Sequence, residues 1–200
     1  MQNHGGYWEE TIYEEGKVDF TTEAYGETAT NAIVDFVSGL HESDRALGEL
    51  IDYFREVDEE VIVVYFGDHV SDAGPKDDRM LAKTSWASDW NVNNYQTHRV
   101  PFLVWTNTES ESKDLGMMEI SELLPYVFDE YGIKSNSFWN YIHNSGASYA
   151  ASGFGLVINS VDNYTDVANM TAEQSEFYKT YELLQYDYIY GKRYAIELWE

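Results

Sequence analysis

The run Val61-Ile62-Val63-Val64-Tyr65-Phe66 constrains the fold more than any other stretch of this chain. It is continuously apolar, rich in β-branched residues, and stops at Gly67. A strand with one wet face alternates apolar and polar residues. One that does not alternate reads as buried on both faces, the pattern of a parallel sheet covered by helices. Val100-Pro101-Phe102-Leu103-Val104-Trp105 has the same character, with Pro101 admissible only at its start or on an edge.

Helical patterns surround these runs. Ile33, Val37, Leu40, Leu47, Ile51 and Phe54 recur at helical spacing. Asp44 falls on their stripe. The reading therefore breaks the helix near His41 and caps a second one with Ser43, or else turns Asp44 inward toward a partner. Residues 8–30 read as irregular. A helix begins at Ser121 with Pro125 in its first turn and stops at Gly132. A short helix spans Asn136 to Asn144, and Gly155-Leu156-Val157-Ile158 is a short strand. Thr171-Ala172-Glu173-Gln174 has the capping-box pattern and opens a helix with Phe177, Tyr181, Leu184 and Tyr188 on one stripe. The class is α/β, with few, mostly parallel strands flanked by helices, in one unit.

Charge excludes several functions. Lys and Arg total 12 against 36 Asp and Glu, for a formal net charge of −24. Such a chain is repelled by nucleic acid and by acidic membranes. The absence of cysteine removes thiolate metal sites, thiol nucleophiles and disulfides. No stretch approaches the ~20 apolar residues of a membrane span.

Chemistry concentrates at Gly67-Asp68-His69. Ligands of open α/β sheets bind beyond the carboxyl ends of strands. A carboxylate and an imidazole placed there suit a divalent ion such as Mn²⁺ or Zn²⁺. The bland alternative is that Asp68 and His69 form and cap a turn. Asn3-His4-Gly5-Gly6-Tyr7 offers an imidazole beside backbone open to an anion, or is an ordinary terminal turn. The segment from Lys76 to Arg99 holds Lys76, Arg79, Lys83 and Arg99, with His98 next to the second strand and Trp86, Trp90 and Tyr95 as aromatic surface. It could receive an anionic substrate, or be a solvated loop.

In this order, Met1 through Tyr7, Asp44-Arg45-Ala46-Leu47-Gly48-Glu49-Leu50, Val61 through His69, and Thr97-His98-Arg99-Val100-Pro101-Phe102-Leu103-Val104-Trp105 resemble the later half of a lipoteichoic acid synthase-type sulfatase domain. The closing Tyr181 through Asp187, with Tyr190-Gly191, is similar to that group's last helix. The resemblance implies a partial alkaline phosphatase/sulfatase-like fold, with residues 1–200 as the C-terminal portion and the nucleophile-bearing half absent. It implies a parent phosphoglycerol transferase, membrane-anchored and working on the extracellular face of the cell membrane. The metal, most often Mn²⁺ with Mg²⁺, Ca²⁺ or Zn²⁺ as alternatives, would be held in part by Asp68 and His69. His4, His98 and Arg99 would contact an anionic phospholipid headgroup or polyol-phosphate substrate. The isolated chain would lack turnover and could pair with itself through an exposed sheet edge. A true sulfatase or phosphodiesterase of the same superfamily is the enzymatic alternative. A noncatalytic carbohydrate- or protein-binding domain is the other.

Overall fold

The computed structural model describes residue 7 and residues 18–69, 72–75, 77–83, 98–144, 149–153, 155–160 and 163–198. They fall into two compact units, residues 1–111 and 112–200.

The first unit is built on helix α1, Glu27–Arg55, and a strand pair, β1 (Ile62–Phe66) and β2 (Phe102–Thr106). Helix α1 runs unbroken for 29 residues, so neither the break at His41 nor a Ser43 cap exists, and Asp44 is exposed. Helix α1 begins at Glu27, inside the stretch 8–30 expected to be irregular, of which residues 8–17 lie outside the described residues. Only the first half of α1 carries a buried stripe, Ala29, Ala32, Ile33 and Val34, while Leu40 and Leu50 face outward. Ala73 packs against Ala32 and Ile33, with Tyr25, Phe36 and Met80 around them. Thus the segment after β1 folds back onto the N-terminal half of α1.

β1 and β2 pair antiparallel, in register from Ile62 opposite Thr106 to Phe66 opposite Phe102. The expectation of a mostly parallel arrangement is corrected, since every strand pair among the described residues is antiparallel. An unbroken apolar run reports burial on two faces, not strand direction. Here β1 is only partly covered, with Tyr65 and Phe66 exposed.

Asn107 fastens this unit. Its side-chain amide donates to the carbonyls of Phe54 at 3.2 Å, Val57 at 3.2 Å and Glu59 at 2.8 Å. Its side-chain oxygen accepts the Val61 N–H at 2.9 Å. One residue after β2 thereby closes the end of α1 and the entry to β1.

The second unit comprises α2 (Ile120–Glu130), α3 (Ser137–His143), the meander β3 (Ala151–Gly153), β4 (Leu156–Ser160) and β5 (Asn163–Asp166), and α4 (Ala172–Ile189). Helix α2 starts at Ile120, which puts Pro125 inside it, buried, and not in the first turn. Gly132, at φ 62°, ends α2 as expected, and the Ile133 N–H returns to the Phe128 carbonyl at 2.8 Å. Asn136 caps α3 by accepting the Trp139 N–H at 3.1 Å. Thr171 and Gln174 form the reciprocal capping box of α4. The core of this unit contains Leu123, Val127, Phe138, Ile142, Tyr149, Val157 and Ile158. Phe177 of α4 closes over it, stacked on Tyr141 with ring centroids 4.7 Å apart.

Candidate functional site

The carboxyl end of β1 delivers Asp68 and His69 side by side. The His69 Nε2 lies 3.7 Å from the Asp68 Oδ2, and both side chains are largely exposed, at 64% and 74%. The Asp68 Oδ1 accepts the His69 backbone N–H at 3.0 Å, which sets the orientation of the carboxylate. The two side chains are not separated by the backbone. Antiparallel pairing brings the start of β2 to the same place. Gly67 donates its N–H to the Pro101 carbonyl at 3.0 Å. Val100 lies against Gly67, and His98 and Arg99, both exposed, immediately precede it. Asp68, His69, His98 and Arg99 therefore leave the sheet at one end.

A carboxylate oxygen and an imidazole nitrogen are chemically suited to a divalent cation. Two such donors fall short of a full coordination sphere, since divalent-ion sites use about four ligands or more. No group of three or more His, Asp or Glu placed to hold a metal occurs among the described residues. His4 lies outside the described residues, as do Lys76, Trp86, Trp90 and Tyr95. Tyr7, close to His4 in sequence, packs edge-on against Phe36 of α1 at 5.3 Å.

Two basic residues of the segment after β1, Arg79 and Lys83, are committed elsewhere. Arg79 pairs with Asp72 at 3.2 Å. Lys83 pairs with Asp78, lies over the Tyr25 ring and donates to the Ala24 carbonyl. The Lys83 ammonium and the Gly26 N–H together hold the Asp78 carboxyl below its usual range. These contacts pin the segment to the start of α1, so Arg79 and Lys83 form part of a clasp.

The second unit holds a cluster that the sequence reading passed over. The Glu119 carboxylate accepts the Ser152 N–H at 3.1 Å, the Ser152 hydroxyl at 3.3 Å and the Ser121 hydroxyl at 3.2 Å. Burial raises Glu119 above the usual carboxylate range despite those bonds. Burial, then the Glu119 charge, pushes Glu122 up to about 7. Burial also pushes the neighbouring Tyr149 up to about 12. The only sequence signal was the spacing of two acids one helical turn apart at a helix start.

Comparison with known proteins identifies the class. Residues 1–133 match the Sulfatase family, and the chain belongs to it. A protein of Rhizobium meliloti (strain 1021) named for cyclic beta-1,2-glucan modification is 24% identical over 211 residues, covering 98% of this chain and 31% of that protein. The fold is also that of the Streptococcus pyogenes phosphoglycerol transferase GacH, solved in complex with sn-glycerol-1-phosphate. The TM-score is 0.67 at 17% identity, covering 100% of this chain and 46% of that one. The chain thus spans about a third of the one relative and about half of the other. The α/β, alkaline phosphatase-like fold expected from the resemblance is the fold found.

Proposed function

We propose that this chain is the C-terminal portion of a metal-dependent phosphoglycerol transferase of the Sulfatase family. The observation that carries the reading is the Asp68–His69 pair, with side chains 3.7 Å apart at the end of a strand, in a chain of this family. Asp68 and His69 would contribute two ligands to a divalent ion, Mn²⁺ in the first instance. When bound, the ion neutralises charge on a phosphoryl oxygen. Arg99 supplies a fixed positive charge and His98 a hydrogen-bonding imidazole at the same end of the sheet, suited to the anionic phosphate of a polyol-phosphate or phospholipid headgroup. His4 belongs to the same substrate set by resemblance. The likeness to a structure holding sn-glycerol-1-phosphate favours a phosphate over a sulfate ester. In this reading the parent enzyme is anchored in the membrane and acts outside the cell. No helix among the described residues is long and apolar enough to cross a membrane.

Mn²⁺ titration with calorimetry and thermal melting tests the reading. The chain binds Mn²⁺ weakly and is stabilised by it. Asp68→Ala and His69→Ala abolish both effects, and a chromogenic phosphodiester is not turned over. An unchanged Mn²⁺ response in both variants overturns the metal assignment. Turnover lost in Asp68→Ala overturns only the inactivity of the isolated chain.

A second reading rests on α4. Leu183, Tyr186 and Tyr190 expose 65%, 60% and 77% of their surface on one side of the helix. Tyrosine faces of this kind suit a carbohydrate, and a relative is named for a glucan. Glucan binding lost in Tyr186→Ala/Tyr190→Ala, with Asp68→Ala silent, favours this reading.

A further inference from the structure

Gly67 is not among the glycines held at positive φ, so backbone freedom does not explain it. What distinguishes the position is space. A Cβ built there would meet the Val100 Cβ at 3.0 Å, its Cγ1 at 3.3 Å and the Pro101 Cδ at 3.6 Å. Meanwhile the Gly67 N–H to Pro101 carbonyl bond, at 3.0 Å, fixes the two backbones to each other. A methyl group is therefore admitted only if Val100 gives by a few tenths of an ångström against that bond. What lies immediately beyond the contact is Asp68-His69 on one strand and His98-Arg99 on the other.

We infer that Gly67 is a positioning residue: the volume it leaves for the Val100 side chain sets where His98 and Arg99 run relative to Asp68 and His69. This rests on the reading that those four residues form one site. In the sequence Gly67 marks only the end of the apolar run, where a glycine allows a close approach. The close approach is to Val100.

The chain has no cysteine of its own, so paired cysteines report the geometry directly. Four pairs are made, combining Asp68→Cys or His69→Cys with His98→Cys or Arg99→Cys. Under mild oxidation one pair bridges in preference to the others. Adding Gly67→Ala abolishes that preference. Adding Val100→Gly to Gly67→Ala restores it, because the new methyl group no longer meets the Val100 Cβ and Cγ1. Restoration also shows that a loss in Gly67→Ala is not mere unfolding. If no pair bridges in the otherwise unaltered chain, or if Gly67→Ala keeps the pattern, or if the exchange fails to restore it, the inference is overturned. Calorimetry with Mn²⁺ on the cysteine-free chain separates this from the site reading. If Mn²⁺ binding is absent while the bridging pattern behaves as described, the metal assignment fails and the positioning contact stands.

Discussion

The Asp78 carboxylate accepts the Gly26 N–H at 2.7 Å, joining the segment after β1 to the first residue before α1. Lys83 binds the same carboxylate, and the Tyr25 hydroxyl donates to the Met80 carbonyl at 2.8 Å. Gly74, at φ 108°, allows the turn: a Cβ there would come within 2.7 Å of the Asp78 carbonyl. Asp78→Ala removes the Gly26 hydrogen bond and the Lys83 ion pair together, and lowers Tm by a few degrees. Asp78→Asn keeps an oxygen for Gly26 and loses less. Differential scanning calorimetry of the two variants gives the order.

Asn107 binds three carbonyls and one N–H at the junction of α1, β1 and β2, and the Phe54 carbonyl among them also accepts the Val57 N–H at 3.4 Å. Asn107→Ala costs about 2–3 kcal/mol by denaturant unfolding. Asn107→Asp is at least as damaging, because it turns an anionic oxygen toward carbonyl oxygens. An Asp variant as stable as the native chain contradicts this account.

Glu119 and Glu122 give the second unit a pH dependence opposite to that of the Asp78 clasp. Their folded-state pKa values lie above the ordinary 4.5, with Glu122 up to about 7. The folded state thus binds protons more tightly than the unfolded one. The resulting stability is full below pH 4.5 and is lost as pH rises through about 7. For half-exposed Glu122 the difference is about 1 kcal/mol once solvent screening is allowed for. Thermal melts at acidic and at mildly alkaline pH show it, and Glu122→Gln flattens it.

Ile142 is 1% exposed beneath α3. Ile142→Ala leaves a cavity and costs about 2–5 kcal/mol, read by urea unfolding.

The strand pair exposes Tyr65, Phe66 and Leu103 at 38%, 48% and 38%. Tyr65 and Leu103 share one face and Phe66 lies on the other. A pair of strands with exposed apolar residues on both faces is marginal in isolation and invites association. Self-association through it makes the chain a dimer by light scattering, and Phe66→Lys shifts it to monomer. A native chain that stays monomeric at high concentration removes that proposal.

Elements with a strong local signature were legible in the sequence. The Thr171–Gln174 box and the Asn136 helix start depend on side chains within three residues, the Gly132 stop on a left-handed backbone that glycine adopts freely, and each formed as read. Both apolar runs became strands, but their direction was not encoded locally. Partner choice is a tertiary matter, and continuity of apolar residues carries no sign. The uninterrupted α1 was missed because Asp44 looked like an intrusion on a buried stripe. That half of the helix is not buried, so Asp44 is simply solvated. β3 and β5 were missed because Ala-Ser-Gly and Asn-Tyr-Thr-Asp have no apolar periodicity, and their pairing with β4 defines them. Of the candidate site, the place of Asp68 and His69 directly after a strand was readable. Their proximity to His98 and Arg99 was not, since it follows from antiparallel pairing.

The chain departs from β1 at Phe66 and enters the neighbouring β2 only at Phe102. Closing a long excursion depends weakly on its length: doubling it adds only about 0.6 kcal/mol. A slip of one residue between the two strands, by contrast, turns every side chain to the opposite face. Evolution can therefore lengthen or trim the excursion at small thermodynamic cost, while the two ends that carry Asp68-His69 and His98-Arg99 stay anchored.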